Sequence, residues 1–397
     1  MIESILQDLI RIDTRTSAAN ETEAAVYLKK VCDRFDIENE IIEPIKGKGS
    51  FIAHIPGWDK SKKELLLLSH LDTAEFGDLS RWKFHPLSAV EFKGRIVGRG
   101  AIDCKGLVSL WLSILVNIRK SNFHPARGII FAAVADEENG GKHGMEYLIE
   151  NNELIKNCEY VIGEGGGYPI RIGDTLYYTC QNAEKGSVSY RIEKKADDAE
   201  DSKEYHVGSP LINLLKGLSI AKIYNLELLC FLMKQSLLRT HKRRLDLNSL
   251  ACSSYCFAKH EGNTVLTINN IPGSNNMNAE RILNKAGIHG DEKKVASYVP
   301  ANYTAVSTEL YQLIVSETRK ASPNNRVIPY TTPGYSDNRF LRYKGKTVYG
   351  YFPLSFEDSL SGIHGYNENI SIRGLLDSYR LMNNIVLRFT NCNVSRF

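Results

Sequence analysis

Leu65-Leu-Leu-Leu-Ser-His-Leu-Asp72 runs four leucines into a histidine and an aspartate. A short apolar run of this length reads as a buried strand, and its polar end marks where that strand leaves the core. The same build recurs twice. Gly128 to Ala135 is apolar and runs into Asp136-Glu137-Glu138, and Tyr160 to Gly163 runs into Glu164. Between and around these runs lie helical patterns at Ile2 to Ile12, at Glu21 to Phe35 with Asn20 as N-cap, at Leu107 to Arg119 and at Lys142 to Glu150. Further strand-like runs fall at Glu38 to Ile42 and Phe51 to Ile55. Strands alternating with helices predict an α/β domain with a mostly parallel central sheet flanked by helices. In such sheets ligands bind beyond the carboxyl ends of the strands, where these polar residues fall.

The texture changes near Lys185. Ser187 to Glu193 alternates like a half-exposed strand, Lys194 to Glu204 is polar and acidic, Pro210 to Leu218 reads as a helix, and Thr264 to Asn269 as a strand. Leu310 to Lys320 is helical again, Thr347 to Phe352 is a strand, and Gly374 to Phe389 a closing amphipathic helix. The expected organisation is therefore a catalytic domain in two parts, residues 1–184 and 295–397, around an inserted α+β domain at 185–294. With 397 residues the chain is long enough for two domains.

Composition excludes several classes. Charged residues make up 24% and hydrophobic ones 43%, an ordinary globular balance rather than a disordered one. A net charge of +4 is too mild to imply nucleic acid. No run approaches the ~20 apolar residues of a membrane span, and acidic residues interrupt the N-terminal apolar pattern, so no signal peptide is expected. Eight scattered cysteines then read as reduced thiols in a cytoplasmic protein.

Five stretches, at strand ends or in glycine-rich turns, offer residues suited to metal-binding or acid–base chemistry. His70 is a good zinc donor, and Asp72 can hold its other ring nitrogen. Asp103, in Gly98-Arg-Gly-Ala-Ile-Asp-Cys-Lys-Gly106, has two oxygens that could bridge two cations; a helix N-cap is the plain alternative. In Ala135-Asp-Glu-Glu-Asn-Gly-Gly141, Glu137 and Glu138 follow a buried strand, where stacked like charges are costly without a cation. One could bind metal while the other acts as general base; a solvated acidic loop is the alternative. Glu164 sits among glycines in Gly163-Glu-Gly-Gly-Gly167, which leads to Tyr168-Pro169 rather than into the helix a dinucleotide fingerprint requires. His364 lies in Gly362-Ile-His-Gly-Tyr-Asn-Glu-Asn-Ile370 before the last helix.

Taken together, SHLD, GRGAIDCKG, ADEENGG, GEGGG and GIHGYNENI resemble the dinuclear zinc peptidase family of succinyl-diaminopimelate desuccinylase, acetylornithine deacetylase, aminoacylase and glutamate carboxypeptidase, in order and at similar spacing. Trp82 to Pro86 and Val348 to Pro353 look like the branch with vacuolar-type carboxypeptidases. The resemblance implies a hydrolase of an amide or peptide bond next to a free carboxylate, acting on an N-acyl amino acid or short peptide. It implies two divalent ions, zinc first and cobalt or manganese as substitutes. His70 and Glu164 would hold one, Glu138 and His364 the other, with Asp103 between them, Asp72 supporting His70, and Glu137 the general acid/base. Two such ions roughly 3.5–4 Å apart can share and activate one water. The resemblance further implies that Arg339, in Gly334-Tyr-Ser-Asp-Asn-Arg-Phe340, grips the substrate carboxylate. His206 would be a lid histidine reaching a neighbouring subunit, Asn269 or Asn270 a lid residue near the substrate, and the inserted domain the seat of a homodimer.

The chain departs from the family pattern in three places. Asp197 to Glu204 replaces the glycine-rich approach to His206, Asn275 to Lys294 lacks the usual strand with its Asp-x-Arg element, and Cys104 stands where methionine is usual. Two other features weigh less. Cys252, Cys256 and His260 are spaced as on one face of a buried helix rather than as a metal site. The basic run Arg239 to Arg244 reads as a solvated face rather than a nucleic-acid site. A non-catalytic amino-acid or peptide binder of the same family is the alternative function.

Overall fold

The computed structural model describes residues 1–192, 204–206, 254–260, 263–270, 293–332 and 334–391. These fall into two compact units. The first comprises Met1–Cys180, Ala305–Val327 and Ser336–Phe397; the second comprises Gln181–Thr304 and Ile328–Tyr335. The second is wider than the expected 185–294.

The first unit opens with helices α1 (Ile2–Arg11) and α2 (Glu21–Asp33). α1 buries Ile2, Ile5, Leu6, Leu9 and Ile10, the stripe a 3.6-residue period demands. Five strands follow: β1 (Glu38–Ile42), β2 (Ser50–Ile55), β3 (Leu65–His70), β4 (Val90–Phe92) and β5 (Arg95–Val97). Then come α3 (Lys105–Lys120), β6 (Ile129–Val134), α4 (Met145–Asn151), α5 (Glu153–Asn157), β7 (Tyr160–Gly163), β8 (Pro169–Ile172) and β9 (Thr175–Glu184). α3 is apolar almost all round because nearly every face of it is buried; Trp111, fully enclosed, donates to the Leu68 carbonyl of β3 at 3.2 Å.

The central sheet has the order β1-β2-β6-β3-β7, continued by β17 (Thr347–Gly350) and then β9, to which β15 (Asn302–Tyr303) and β16 (Asn325–Thr332) also pair. β3 pairs in parallel with both β6 and β7, and β7 in parallel with β17, while β1, β2 and β6 pair antiparallel in succession. The largely parallel, helix-flanked sheet expected for the catalytic part is present. Strands buried on both faces need no polar alternation, which is why β3 and β6 read as continuous apolar runs. Register positions the site: His70 lies opposite Val134 and Gly163 opposite Gly350, so the chain leaves all four strands at one end.

A second small sheet has the order β18-β5-β4, with β18 at Asn369–Ser371. Asn369 pairs with Val97, so the glycine-rich turn after β5 lies beside the loop that precedes β18. Helices α6 (Glu309–Ala321), α7 (Asn338–Tyr343) and α8 (Ile372–Thr390) complete the unit. Thr308 caps α6 through the Tyr311 N–H, and Ser371 caps α8 through the Gly374 N–H.

In the second unit, β10 (Gly186–Ile192), β11 (Glu204–His206), β12 (Ser254–His260), β13 (Asn263–Asn270) and β14 (Lys293–Val299) form a sheet of order β11-β12-β13-β10-β14, antiparallel at every pair. The reading of Cys252 to His260 as a helix is corrected: Ser254–His260 is a strand. A spacing of four residues suits a helix face, but as an even number it suits one face of a strand equally. The expected helix at Pro210 to Leu218, the basic run Arg239 to Arg244, and most of Lys194 to Glu204 and Asn275 to Lys294 lie outside the described residues.

Candidate metal centre

His70 ends β3 with 1% of its surface exposed. Its Nδ1 lies 2.9 Å from the Asp72 backbone carbonyl and 3.5 Å from the Asp72 carboxylate. The closer partner is thus main chain, and it leaves Nε2 facing Asp103 Oδ1 at 3.0 Å and Glu164 Oε2 at 3.6 Å. The Asp72 carboxylate has other work: it accepts the backbone N–H of Glu137 at 3.1 Å and of Glu138 at 2.9 Å. Asp72 therefore holds His70 with its carbonyl and the two glutamates with its side chain.

Asp103 lies in the turn between β5 and α3. That turn is organised by Glu368, a fully buried carboxylate. Glu368 accepts N–H groups from Gly100 at 3.0 Å, Ile102 at 2.8 Å and Asp103 at 3.1 Å, and the Arg99 guanidinium at 3.0 Å. Burial pushes the Glu368 carboxyl upward, a shift the three backbone donors oppose. Arg99 also donates to the carbonyls of Glu75 at 2.9 Å and Gly365 at 2.7 Å. One buried ion pair thus fixes both the Asp103 turn and the loop that carries His364. Sequence reading missed both residues, although each stands inside a quoted motif. The available signal was a charged residue flanked by glycines, and another at the edge of a strand.

Glu137 and Glu138 occupy a short 3-10 turn that follows Asp136, a residue in the left-handed region at φ 70°. Asp136 is buried and lies 3.3 Å from Lys48, which pairs with buried Glu21 at 2.6 Å. Glu138 Oε2 is 2.9 Å from His364 Nε2, and His364 Nε2 is 3.2 Å from Asp103 Oδ2. Asp103 therefore turns one oxygen to each histidine. Glu137 lines a small pocket with Ser69, His70, Glu164, Asp337 and Asn338. Ser69 Oγ and both carboxylate oxygens of Asp337 are buried there without a hydrogen-bond partner.

The electrostatics call for positive charge. His364 is pushed up to about 10 by Asp103 and then Glu138. His70 is raised despite its burial, by Cys104, Glu164, Asp103 and Asp72. Burial, with Glu164 beside it, raises Glu137, and burial raises Glu164 and lifts Asp337 to about 8. Two imidazoles among Asp103, Glu137, Glu138 and Glu164 form a nitrogen-and-oxygen donor set suited to divalent zinc, cobalt or manganese. Among the described residues, His70–Asp103–Glu138 and His70–Cys104–Glu164 are groups whose donor atoms lie within 4.8 Å of one another. The residues present fit a cation centre.

All seven expected metal and catalytic residues meet in this region. Arg339 lies nearby but is 5% exposed, and it donates to the carbonyls of Ser336 at 2.8 Å and Gly140 at 2.7 Å. In this conformation it braces the end of the Glu137 turn. His206 and Asn269 belong to the second unit, where β11 and β13 flank β12 and both residues pair with Ser254. They occupy one row of that sheet; their side chains lie outside the description.

The profile of peptidase family M20/M25/M40 matches residues 66–388. The chain belongs to this family. Among relatives by sequence, a probable succinyl-diaminopimelate desuccinylase of Staphylococcus aureus is 26% identical over 244 residues, 62% of this chain and 54% of the relative. An uncharacterized metallohydrolase of Methanocaldococcus jannaschii is 33% identical over 189 residues, 42% of this chain and 45% of the relative. The chain thus spans about half the length of the curated relatives it matches. Among solved structures, an M20 metallo-carboxypeptidase from Sulfolobus solfataricus superposes with a TM-score of 0.67 at 19% identity, covering 96% of this chain and 97% of that one. Human carnosine dipeptidase 1 superposes with a TM-score of 0.66 at 16% identity, covering 98% and 96%. These likenesses establish the M20 fold. Among the described residues no helix is long and apolar enough to cross a membrane.

Proposed function

We propose that this M20 chain is a two-cation hydrolase that cuts an amide or peptide bond adjacent to a free carboxylate, as a deacylase of N-acyl amino acids, a dipeptidase or a carboxypeptidase. The observation that carries the reading is Asp103, whose two oxygens face His70 at 3.0 Å and His364 at 3.2 Å. Glu164 would join His70 on one side, and Glu138 would join His364 on the other. Bound there, a pair of divalent ions would lower the pKa of a water and polarise the scissile carbonyl.

The chain's own residues do the rest. The Glu137 carboxylate takes the proton from the attacking water and returns it to the leaving nitrogen. Asp72 keeps Glu137 and Glu138 in place through their backbone N–H groups. A substrate carboxylate would compete with the Gly140 and Ser336 carbonyls for the Arg339 guanidinium. His206, as a histidine reaching a neighbouring subunit, and Asn269 are carried as substrate-binding candidates on the family resemblance.

The test is a substrate panel of N-acyl amino acids, dipeptides and longer peptides with free or amidated C-termini. It is run on chelator-stripped protein with zinc, cobalt or manganese restored. The expected result is turnover that disappears on stripping, returns with metal, and needs the free C-terminal carboxylate. Tight binding of amino acids or peptides without turnover under any metal would instead identify a non-catalytic binder.

A further inference from the structure

The group His70–Cys104–Glu164 includes an atom that the two-cation reading does not use. Cys104 is 1% exposed. Its Sγ, a ring nitrogen of His70 and a carboxylate oxygen of Glu164 all lie within 4.8 Å of one another. Cys32, Cys104, Cys158 and Cys180 are all buried. Among them, Cys104 is the one gathered with other donor atoms.

We propose that Cys104 Sγ is a further metal ligand, giving the His70–Glu164 side of the centre a sulfur donor in addition to nitrogen and oxygen. The proposal rests on the two-cation reading above and adds to it a ligand of different chemistry. When the S–cation bond forms, the S–H bond breaks and its proton passes to solvent; no electron changes hands. A thiolate is a soft donor and favours zinc, cobalt(II) and cadmium over manganese or magnesium. The two sides of the centre therefore differ: Glu138 and His364 offer oxygen and nitrogen alone, and a manganese ion belongs there sooner than beside Cys104.

X-ray absorption on zinc-loaded full-length protein reads the ligands directly and needs no variant. The expected result is one sulfur scatterer at about 2.3 Å for every two zinc ions. Cobalt(II) loading supplies the residue assignment: a thiolate-to-cobalt charge-transfer band in the near ultraviolet, lost in Cys104→Ser and in Cys104→Met while the weaker visible cobalt bands persist. Zinc bound by nitrogen and oxygen alone overturns the proposal and leaves the two-cation centre standing. A charge-transfer band that survives in folded Cys104→Ser overturns it as well, since the sulfur then belongs to another cysteine. Failure of the protein to bind either ion removes the proposal and the centre together.

Discussion

Glu137→Gln is expected to lower kcat by about 10³-fold, within the 10²- to 10⁴-fold range typical of positioned acid–base groups, with bound metal and KM little changed. Glutamine keeps the size and the backbone N–H that Asp72 Oδ1 accepts at 3.1 Å. What it would lose is the carboxylate oxygen proposed to receive a proton beside His70 and Glu164. Glu138→Gln makes the contrast, because Glu138 faces His364 at 2.9 Å and its loss should weaken cation binding itself. Steady-state kinetics with metal analysis on both variants separate the two roles. Full turnover in Glu137→Gln would remove it from the chemistry.

The second large effect belongs to a residue that touches neither substrate nor cation. Arg99→Met leaves the Glu368 carboxylate buried with its charged partner gone, and stranding one member of such a pair costs about 3–5 kcal/mol. It also strips donors from the carbonyls of Glu75 and Gly365. Because Glu368 holds the Asp103 turn and Arg99 the His364 loop, the loss should appear twice. The unfolding transition should move to lower denaturant, and cation affinity should fall. Arg99→Lys keeps the charge but not the fork and should lie between. Adding Glu368→Gln to Arg99→Met should cost less than the sum of the two single changes. Unchanged stability in Arg99→Met would show that the pair contributes little to holding the two loops.

Much of this centre was legible before the fold was known, for a specific reason. β3, β6 and β7 are buried on both faces, so each reads as an unbroken apolar run, and polar residues at or within four positions past the end of each run are the ones that meet: His70, then Glu137 and Glu138, then Glu164. Parallel register turns that local pattern into convergence. Asp103 and His364 owed more to the family resemblance, because their meeting depends on β5 pairing with β18. The Arg99–Glu368 pair joins residues 269 apart in the chain, and charges at such a separation carry no local sign of each other. The same holds for Lys48 with Glu21 and Asp136. Asp72 was read only as support for His70; its grip on two backbone N–H groups follows from the turn at Glu137, which no side-chain pattern announces. Cys256 and His260 were misread because spacing by four fits both periods.

The central claim is that residues from five separate stretches cage two cations with Asp103 between them. Metal analysis of the purified full chain, repeated on His70→Ala and His364→Ala, tests it most directly. About two divalent ions per chain are expected, falling to about one in each variant, with the ion that remains differing between them. A chain that binds no divalent ion, or one whose metal content ignores both substitutions, would contradict it.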